Sequence, residues 1–238
     1  MTPQFPVRWV VLDIEGTLSA TDQVLVVLYD YARPRLGPWI DAHGADPRVA
    51  AAVREVRELA GLDETAGTEQ VVAALHGWMD ADQKVTPLKT LQGLIWQRGY
   101  ADGDLVAELF ADVTPALRAW HAAGLRLAIF SSGSVAGQVA FFRHTAEGDL
   151  TGLLEHHFDT VNAGPKRKAA SYRRIADELG AQPRDVVFLS DVPAELHAAA
   201  EDGWRTVGVA RPGEPQERAD FGPHPVVASL DEVELVTP

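Results

Sequence analysis

The chain has 238 residues, of which 46% are hydrophobic and 23% are charged, and its formal charge at pH 7 is −13. This composition is typical of a globular protein with one or two domains. The negative charge disfavours nucleic acid or an anionic membrane as a partner, because either would need a local basic patch to offset the repulsion. The sequence contains no extended basic patch.

Cysteine is absent, which excludes a disulfide framework, a cysteine zinc site and a thiol nucleophile. The first apolar run after Arg8 meets Asp13 within a few residues, which does not fit a secretion signal. No stretch approaches the roughly 18 apolar residues that a membrane helix needs. We therefore expect a cytoplasmic protein without a membrane partner. A monomer is also expected, because one chain carries all the candidate site residues described below.

Short apolar segments that end in polar residues recur along the chain, as is typical of buried parallel strands. The predicted strands are 10–12, 125–130, 158–161, 186–189, 206–209 and, near the end, 226–228. Helical patterns separate several of them, at 115–123, 171–179 and 194–200. This alternation predicts an α/β fold with a doubly wound, Rossmann-like parallel sheet. Ligands of such folds bind beyond the carboxyl ends of the strands.

Between residues 20 and 112 the strand pattern disappears. Helical spacing is found at 23–31, 47–59, 70–79 and 88–97, with predicted breaks at Gly37-Pro38, Gly44, Gly61 and Gly99. The stretch is too long for a single crossover connection. We therefore predict an inserted all-helical cap domain at 20–112, with 1–19 and 113–238 forming the α/β core.

Polar residues follow four of the predicted strands: Asp13 and Glu15, then Ser131 and Ser132, then Lys166, and then Asp191. Phosphoryl transfer needs a nucleophile, hydrogen-bond donors, a cation that neutralises the phosphate oxygens and an acid for the leaving group. Asp13 and Asp191 could share Mg²⁺, which prefers oxygen ligands. Lys166 could supply a positive charge to phosphate, and a serine could supply a hydroxyl.

Each of these residues alone has a simpler interpretation. A carboxylate at a strand end can cap a helix, a Ser-Ser-Gly-Ser run can form a turn, and a single lysine can lie in solvent. Glu195 could belong to the site or could complement a helix dipole, and His144 could be structural. The order of the set, with its members following strands, favours the site.

This ordering resembles the haloacid-dehalogenase superfamily, whose motifs are an acidic pair after the first strand, a Ser or Thr, a Lys and a final acidic motif. Within that superfamily the chain resembles the enolase-phosphatase family of methionine salvage. The resemblance covers almost the whole chain. It rests on 12–17, 88–96 with Gly99-Tyr100, 131–134 with Gln138, His144-Thr145 with 148–150, Lys166 with Ser171-Tyr172, Ser190-Asp191 with Glu195, and 211–213.

The resemblance implies a role for each predicted site residue. Asp13 would attack phosphorus to give an aspartyl-phosphate, and Glu15 would protonate the leaving oxygen and then activate water. Mg²⁺ would be held by Asp13, by Asp191 and by an oxygen of Glu15, expected to be its backbone carbonyl. The remaining predicted residues, Ser131, Ser132 and Lys166, would bind the substrate, and Lys166 would also take part in catalysis.

The implied substrate is a small phosphorylated metabolite, 2,3-diketo-5-methylthiopentyl-1-phosphate, which would become 1,2-dihydroxy-3-keto-5-methylthiopentene. Enolisation needs a base near the carbon next to a carbonyl and an electrophile that polarises this carbonyl, and the two roles stay open between Glu15, Lys166, His144 and the metal. Residues 18–24 depart from the family pattern, which favours an alternative: a phosphatase or phosphomutase for another metabolite, such as a sugar or cyclitol phosphate. A non-catalytic binding module is disfavoured by the complete set of catalytic residue types. Trp96 and Tyr100 could close the cap over the substrate or belong to its core.

Overall fold

A computed structural model describes residues 4–83 and 85–237; residues 1–3, 84 and 238 of the predicted domains lie outside them. The chain forms two compact units, one from Met1–Gln23 with Val106–Pro238 and the other from Val24–Leu105. We call them the sheet unit and the helical unit. Nowhere in the described ranges does a helix combine the length and the apolar character needed to cross a membrane.

The sheet unit is built on six parallel strands in the order β4-β3-β2-β5-β6-β7. In chain order its strands are β1 (Gln4–Pro6), β2 (Trp9–Leu12), β3 (Arg126–Phe130), β4 (Leu154–Phe158), β5 (Val186–Ser190), β6 (Arg205–Val209), β7 (Val226–Val227) and β8 (Glu234–Val236). Strands β1 and β8 form a separate parallel pair. With β2 counted as the first strand of the sheet, this is the Rossmann order 3-2-1-4-5-6. The predicted doubly wound α/β fold is therefore confirmed.

The helical unit contains α1 (Tyr29–Ala32), α2 (Leu36–His43), α3 (Pro47–Leu59), α4 (Thr68–Asp80) and α5 (Thr86–Asp102), and a π-helical segment at Gln23–Leu28 leads into it. Its buried core includes Leu36, Leu75, Leu88, Leu91 and Ile95. Within the described residues of this unit no β-strand occurs, in agreement with the all-helical pattern of the sequence.

Two of the breaks predicted in the helical region are wrong. Helix α2 runs through Gly37-Pro38, because Pro38 is its third residue and the first four N–H groups of a helix have no intrahelical partner. Helix α5 runs through Gly99, where a Cβ atom would lie 2.6 Å from the ring of Tyr31. Glycine at this position allows the helix to approach the tyrosine closely.

Two aromatic residues of α5 pack within the helical unit. The indole nitrogen of Trp96 donates to the carbonyl oxygen of Leu28 at 2.8 Å, and its ring stacks on Tyr29 with centroids 6.5 Å apart. Tyr100 is 3% exposed. The structure therefore places both residues in packing positions.

The helices of the sheet unit are α6 (Val113–Ala122), α7 (Val135–Arg143), α8 (Ala169–Leu179) and α9 (Pro193–Glu201). The three predicted in this unit, at 115–123, 171–179 and 194–200, correspond to α6, α8 and α9. Helix α8 buries Tyr172 against Phe130 and Phe188 of the sheet, with edge-to-face ring contacts. This packing brings the start of α8 close to the carboxyl ends of β3 and β5.

The strand predicted at 158–161 is misplaced. Strand β4 ends at Phe158, where the prediction began. The following residues form a turn, because the Asp159 carboxylate accepts the backbone N–H groups of Val161 and Asn162 at 2.8 and 2.9 Å. Val161, which the sequence placed in the strand, is 81% exposed.

Candidate active site

Three neighbouring strands deliver polar residues to one edge of the sheet. The register pairs Leu12 of β2 with Ile129 of β3 and with Leu189 of β5. Asp13 directly follows β2, and its backbone N–H donates to the carbonyl oxygen of Leu189 at 3.0 Å. Ser131 and Asp191 follow the other two strands. The border of β2 and β5 is also where the strand order reverses, the usual ligand position in such sheets.

Lys166 reaches Asp13 from the loop after β4. Its ammonium nitrogen lies 2.6 Å from Asp13 Oδ1 and 2.6 Å from Glu195 Oε2, and its side chain is 8% exposed. The loop is fixed by two neighbouring residues of α8: Ser171 donates to the Pro165 carbonyl at 2.7 Å and Tyr172 to the Lys166 carbonyl at 2.8 Å. The structure thus brings Lys166 and Asp13 into direct contact.

Glu195 is a part of the site that the sequence left undecided. It lies in the first turn of α9, one helical turn after Asp191, and is buried. Besides Lys166, it binds Ser190, whose hydroxyl donates to Glu195 Oε2 at 3.1 Å and lies 3.5 Å from Asp13 Oδ2. The position of Glu195, four residues after Asp191, was the feature of the sequence that could have indicated its place in the site. No sequence pattern indicated the contact between Ser190 and Glu195.

Asp191 is held by the tight turn that follows Asp13. The hydroxyl oxygen of Thr17 accepts the Asp191 backbone N–H at 2.9 Å and lies 3.4 Å from Asp191 Oδ1, to which it donates. Gly16 has a φ of +72°, and a Cβ there would overlap the Asp191 carboxylate. Glu15 lies in the same turn, is half-buried, and forms a backbone bridge with Ser19.

The serine loop after β3 is tied to the end of β4. The Ser131 N–H donates to the Phe158 carbonyl at 3.1 Å, and the Ser131 hydroxyl accepts the Gly133 N–H at 3.3 Å. The buried Gln138 amide donates to the carbonyls of Gly133 and Phe158 at 2.9 and 2.8 Å. Ser132 is half-buried in this loop.

His144 lies at the end of α7, where its Nδ1 is 2.8 Å from the carbonyl oxygen of Ala140. This contact fixes the imidazole ring at the C-terminus of the helix. It is consistent with the structural interpretation of His144.

The buried charges of the site do not balance. Burial and the neighbouring Asp13 raise the pKa of Asp191 to about 7. Burial also raises the pKa of Glu195, although Lys166 opposes that rise. Burial lowers the pKa of Lys166, but the carboxylates of Asp13 and Glu195 outweigh it, so that the net pKa is raised and the ammonium stays charged. Three carboxyl groups, those of Asp13, Asp191 and Glu195, thus share a single ammonium in this buried cluster.

The excess of carboxyl groups over ammonium groups and the types of donor atom fit a hard divalent cation. Asp13 and Asp191 supply carboxylate oxygens, and the turn after Asp13 supplies backbone carbonyls. Across the described ranges, no three His, Cys, Asp or Glu side chains surround one point as a metal-binding group. Mg²⁺ does not require such a group, because it keeps several waters and uses one or two carboxylates together with substrate oxygens.

Comparison with known proteins agrees with this arrangement. Residues 7–202 match the family model of the haloacid dehalogenase-like hydrolases. The chain is 66% identical over 236 residues to the enolase-phosphatase E1 of Saccharopolyspora erythraea, covering 99% of this chain and 98% of that protein. The chain belongs to the haloacid dehalogenase-like hydrolase family. A second enolase-phosphatase E1, from Frankia alni, is 57% identical over 232 residues, covering 98% of this chain and 97% of its own.

The family resemblance inferred from the sequence motifs is therefore confirmed, and the chain is a phosphatase. Among solved structures, the UTR4 protein of Saccharomyces cerevisiae superposes with a TM-score of 0.78 at 28% identity, covering 94% of this chain and 98% of that one.

Proposed function

We propose that this phosphatase is a magnesium-dependent enolase-phosphatase of methionine salvage. It would enolise 2,3-diketo-5-methylthiopentyl-1-phosphate and then remove the phosphate, giving 1,2-dihydroxy-3-keto-5-methylthiopentene. The observation that supports this chemistry most directly is the contact of Asp13 with Lys166, beside Asp191 at the sheet edge. The substrate is the one that the family resemblance implies, and the name enolase-phosphatase E1, shared by relatives that are 66% and 57% identical to this chain, supports it.

In this proposal Asp13 forms a bond to phosphorus while the bond from phosphorus to the substrate oxygen breaks. Lys166 lies in contact with Asp13 and offers its charge to the phosphate. Glu15 gives a proton to the leaving oxygen, and then takes one from the water that hydrolyses the aspartyl-phosphate. Ser131 and Ser132 donate hydrogen bonds to the phosphate oxygens.

The metal would be held by Asp13, Asp191 and the backbone carbonyl of Glu15. When bound, Mg²⁺ neutralises charge on the phosphoryl group. Of the candidate bases for enolisation, His144 is engaged at the end of α7. Glu15 lies in the turn after Asp13, and we propose it as the base to test. Lys166, whose ammonium stays charged, would instead polarise the carbonyl beside the carbon that loses the proton.

Residues 18–24, which favoured a different substrate, include two residues of the packed interior. Leu18 is fully buried, and the Ser19 hydroxyl donates to the Glu108 carbonyl at 2.7 Å. Their departure from the family pattern thus concerns packing at these two positions. Substrate selection is proposed for the cap predicted at 20–112, and one chain supplies every residue of the proposal, so a monomer suffices.

The test is an assay of the protein with a panel of phosphorylated metabolites: a diketo-pentyl phosphate, several sugar phosphates and a cyclitol phosphate. Phosphate release and ultraviolet absorbance of the enol are followed together. We expect an enol signal and phosphate release with the diketo compound. Phosphate release without an enol signal, or release only from sugar or cyclitol phosphates, would contradict the proposal and support the alternative phosphatase or phosphomutase.

A further inference from the structure

A buried arginine lies behind the turn that carries Asp13 and Glu15. Arg211 follows β6 and is 4% exposed. Its Nε donates to the carbonyl oxygen of Thr17 at 3.0 Å, and its Nη1 donates to Asp112 Oδ2 at 2.7 Å. Its guanidinium carbon lies 4.6 Å from the ring centroid of Phe110. A buried cation needs such partners, because removing it from water is costly.

Thr17 joins this arginine to the candidate metal ligand. Its carbonyl oxygen accepts from Arg211, while its hydroxyl contacts both the backbone N–H and the carboxylate of Asp191. Thr17 is fully buried. A rotation of this residue would therefore break its contacts on both sides at once.

The anchor of Arg211 is itself fixed. Asp112 Oδ2 accepts the Ser229 hydroxyl at 2.9 Å and the Leu230 N–H at 2.6 Å, in addition to Arg211. The Phe110 N–H also donates to the carbonyl of Leu18, the residue after Thr17, at 2.9 Å. The turn is thus held by two segments, around Phe110 and Arg211, that are distant from it in sequence.

We infer that Arg211 is a positioning residue for Asp191, acting through Thr17 to fix the carboxylate that would bind the divalent cation. The inference rests on the metal role of Asp191 in the proposed function. Lysine would not replace it, because its single nitrogen would have to serve a carbonyl and a carboxylate that the planar guanidinium reaches with two separate N–H groups. Mutation of a residue that holds a metal ligand in place, without itself binding the metal, commonly lowers metal affinity about 10- to 100-fold.

The test measures Mg²⁺ binding by isothermal titration calorimetry on the full chain, without substrate, alongside thermal unfolding. Arg211→Lys and Thr17→Val should each raise the Kd for Mg²⁺ about tenfold or more. Thr17→Ser keeps the hydroxyl, so its Kd for Mg²⁺ should stay close to that of the parent. The double variant should bind about as weakly as either single variant, because both changes act along one route. Arg126→Lys is the matched control, since Arg126 pairs with Glu155 in an exposed position, and its Kd should equal that of the parent.

The outcomes separate this inference from the proposed function. A parental Kd in Arg211→Lys with lowered thermal stability would overturn the inference and leave Arg211 a purely structural residue. Additive losses in the double variant would overturn the route through Thr17. If Arg211→Lys fails to fold, Asp112→Asn weakens the same anchor and should also raise the Kd; an unchanged Kd there would overturn the inference. A parent chain that does not bind Mg²⁺ would overturn both the metal site and the inference.

Discussion

The hydroxyl of Tyr172 donates a hydrogen bond of 2.8 Å to the backbone carbonyl of Lys166. The tyrosine ring is fully buried and meets Phe130, Phe188 and Trp204 edge to face. Because these contacts fix the ring, they also fix the point from which the Lys166 side chain extends to Asp13. The aromatic core beneath the sheet edge thus determines where the ammonium lies.

Tyr172→Phe should keep the fold and lower catalysis. It removes the hydroxyl and leaves a buried carbonyl without that partner, which costs about 1 kcal/mol of unfolding free energy. We expect kcat for phosphate release to fall about tenfold, since loosening Lys166 costs on the order of 1.4 kcal/mol of barrier. Kinetics and urea denaturation measure the two effects. Tyr31→Phe is the control, because the Tyr31 hydroxyl binds Asp104 in an exposed position; parental kcat in Tyr172→Phe would contradict the positioning.

Asp13→Asn should abolish phosphate release while the chain stays folded. An amide is a very poor nucleophile toward phosphorus, so we expect a loss of at least about a thousandfold in kcat, as for other catalytic nucleophiles. Circular dichroism and phosphate assays measure fold and activity. Asp177→Asn, an exposed change on α8, is the matched control. Substantial turnover in the Asp13 variant would show that another group attacks phosphorus.

Removal of divalent metal should abolish activity, and added Mg²⁺ should restore it. The reason is that the buried carboxylates of Asp13, Asp191 and Glu195 outnumber the one ammonium of Lys166, so a phosphate dianion would be repelled without a cation. Phosphate release is measured in chelator, and in chelator with excess Mg²⁺ as the control. Full activity in chelator would exclude Asp191 as a functional ligand.

Asp112 makes the stability of the chain depend on pH. Burial raises the pKa of its carboxyl, but the hydrogen bonds from Arg211, Leu230 and Ser229 and the Arg211 charge outweigh burial, so the pKa is net lowered. A lowered folded-state pKa gives stability that is present above the unfolded value of about 3.9 and is lost as pH falls through the folded value. The parent should therefore lose unfolding free energy below about pH 4.

Asp112→Asn tests this dependence directly. At pH 7 it leaves the Arg211 charge buried without its carboxylate, which should cost about 3 kcal/mol. The difference from the parent should shrink as pH falls below about 4, because the parent then loses the stability that its ionised carboxylate provides. Urea denaturation at several pH values measures it, with Asp177→Asn as the control. A difference that is constant from pH 7 to pH 3 would rule out the ionised carboxylate as its cause.

Local sequence patterns predicted the fold, and they predicted that several polar residues meet at one edge of the sheet, because strand ends in a parallel sheet share one edge. Asp13, Ser131 and Asp191 each follow an apolar run, and the run itself forms the strand. Lys166 was identified although its strand was misplaced, since the loop that carries it begins where β4 ends. The role of Glu195 was left open because its partner, Lys166, comes from a different loop.

No local sequence pattern indicated the contact between Arg211 and Thr17 next to the site. Arg211 and Thr17 are 194 residues apart in the sequence, and only the folded sheet unit brings them together. Helix α2 was missed for a different reason, since Gly37-Pro38 has low helix propensity and yet falls in a first turn where the missing N–H costs little. Tertiary packing and position within a helix decide such cases, and neither is visible in a window of sequence.

The central place of β2 in the sheet has a consequence for synthesis of the chain. Its neighbours β3 and β5 begin at Arg126 and Val186, and the partner of β1 is β8, at Glu234–Val236. On the ribosome, β1 and β2 therefore emerge long before the strands that pair with them, whereas residues 24–105 of the helical unit emerge without interruption. The helical unit can complete its contacts first, and the sheet edge that carries Asp13 assembles only after Asp191 and Glu195 have been translated.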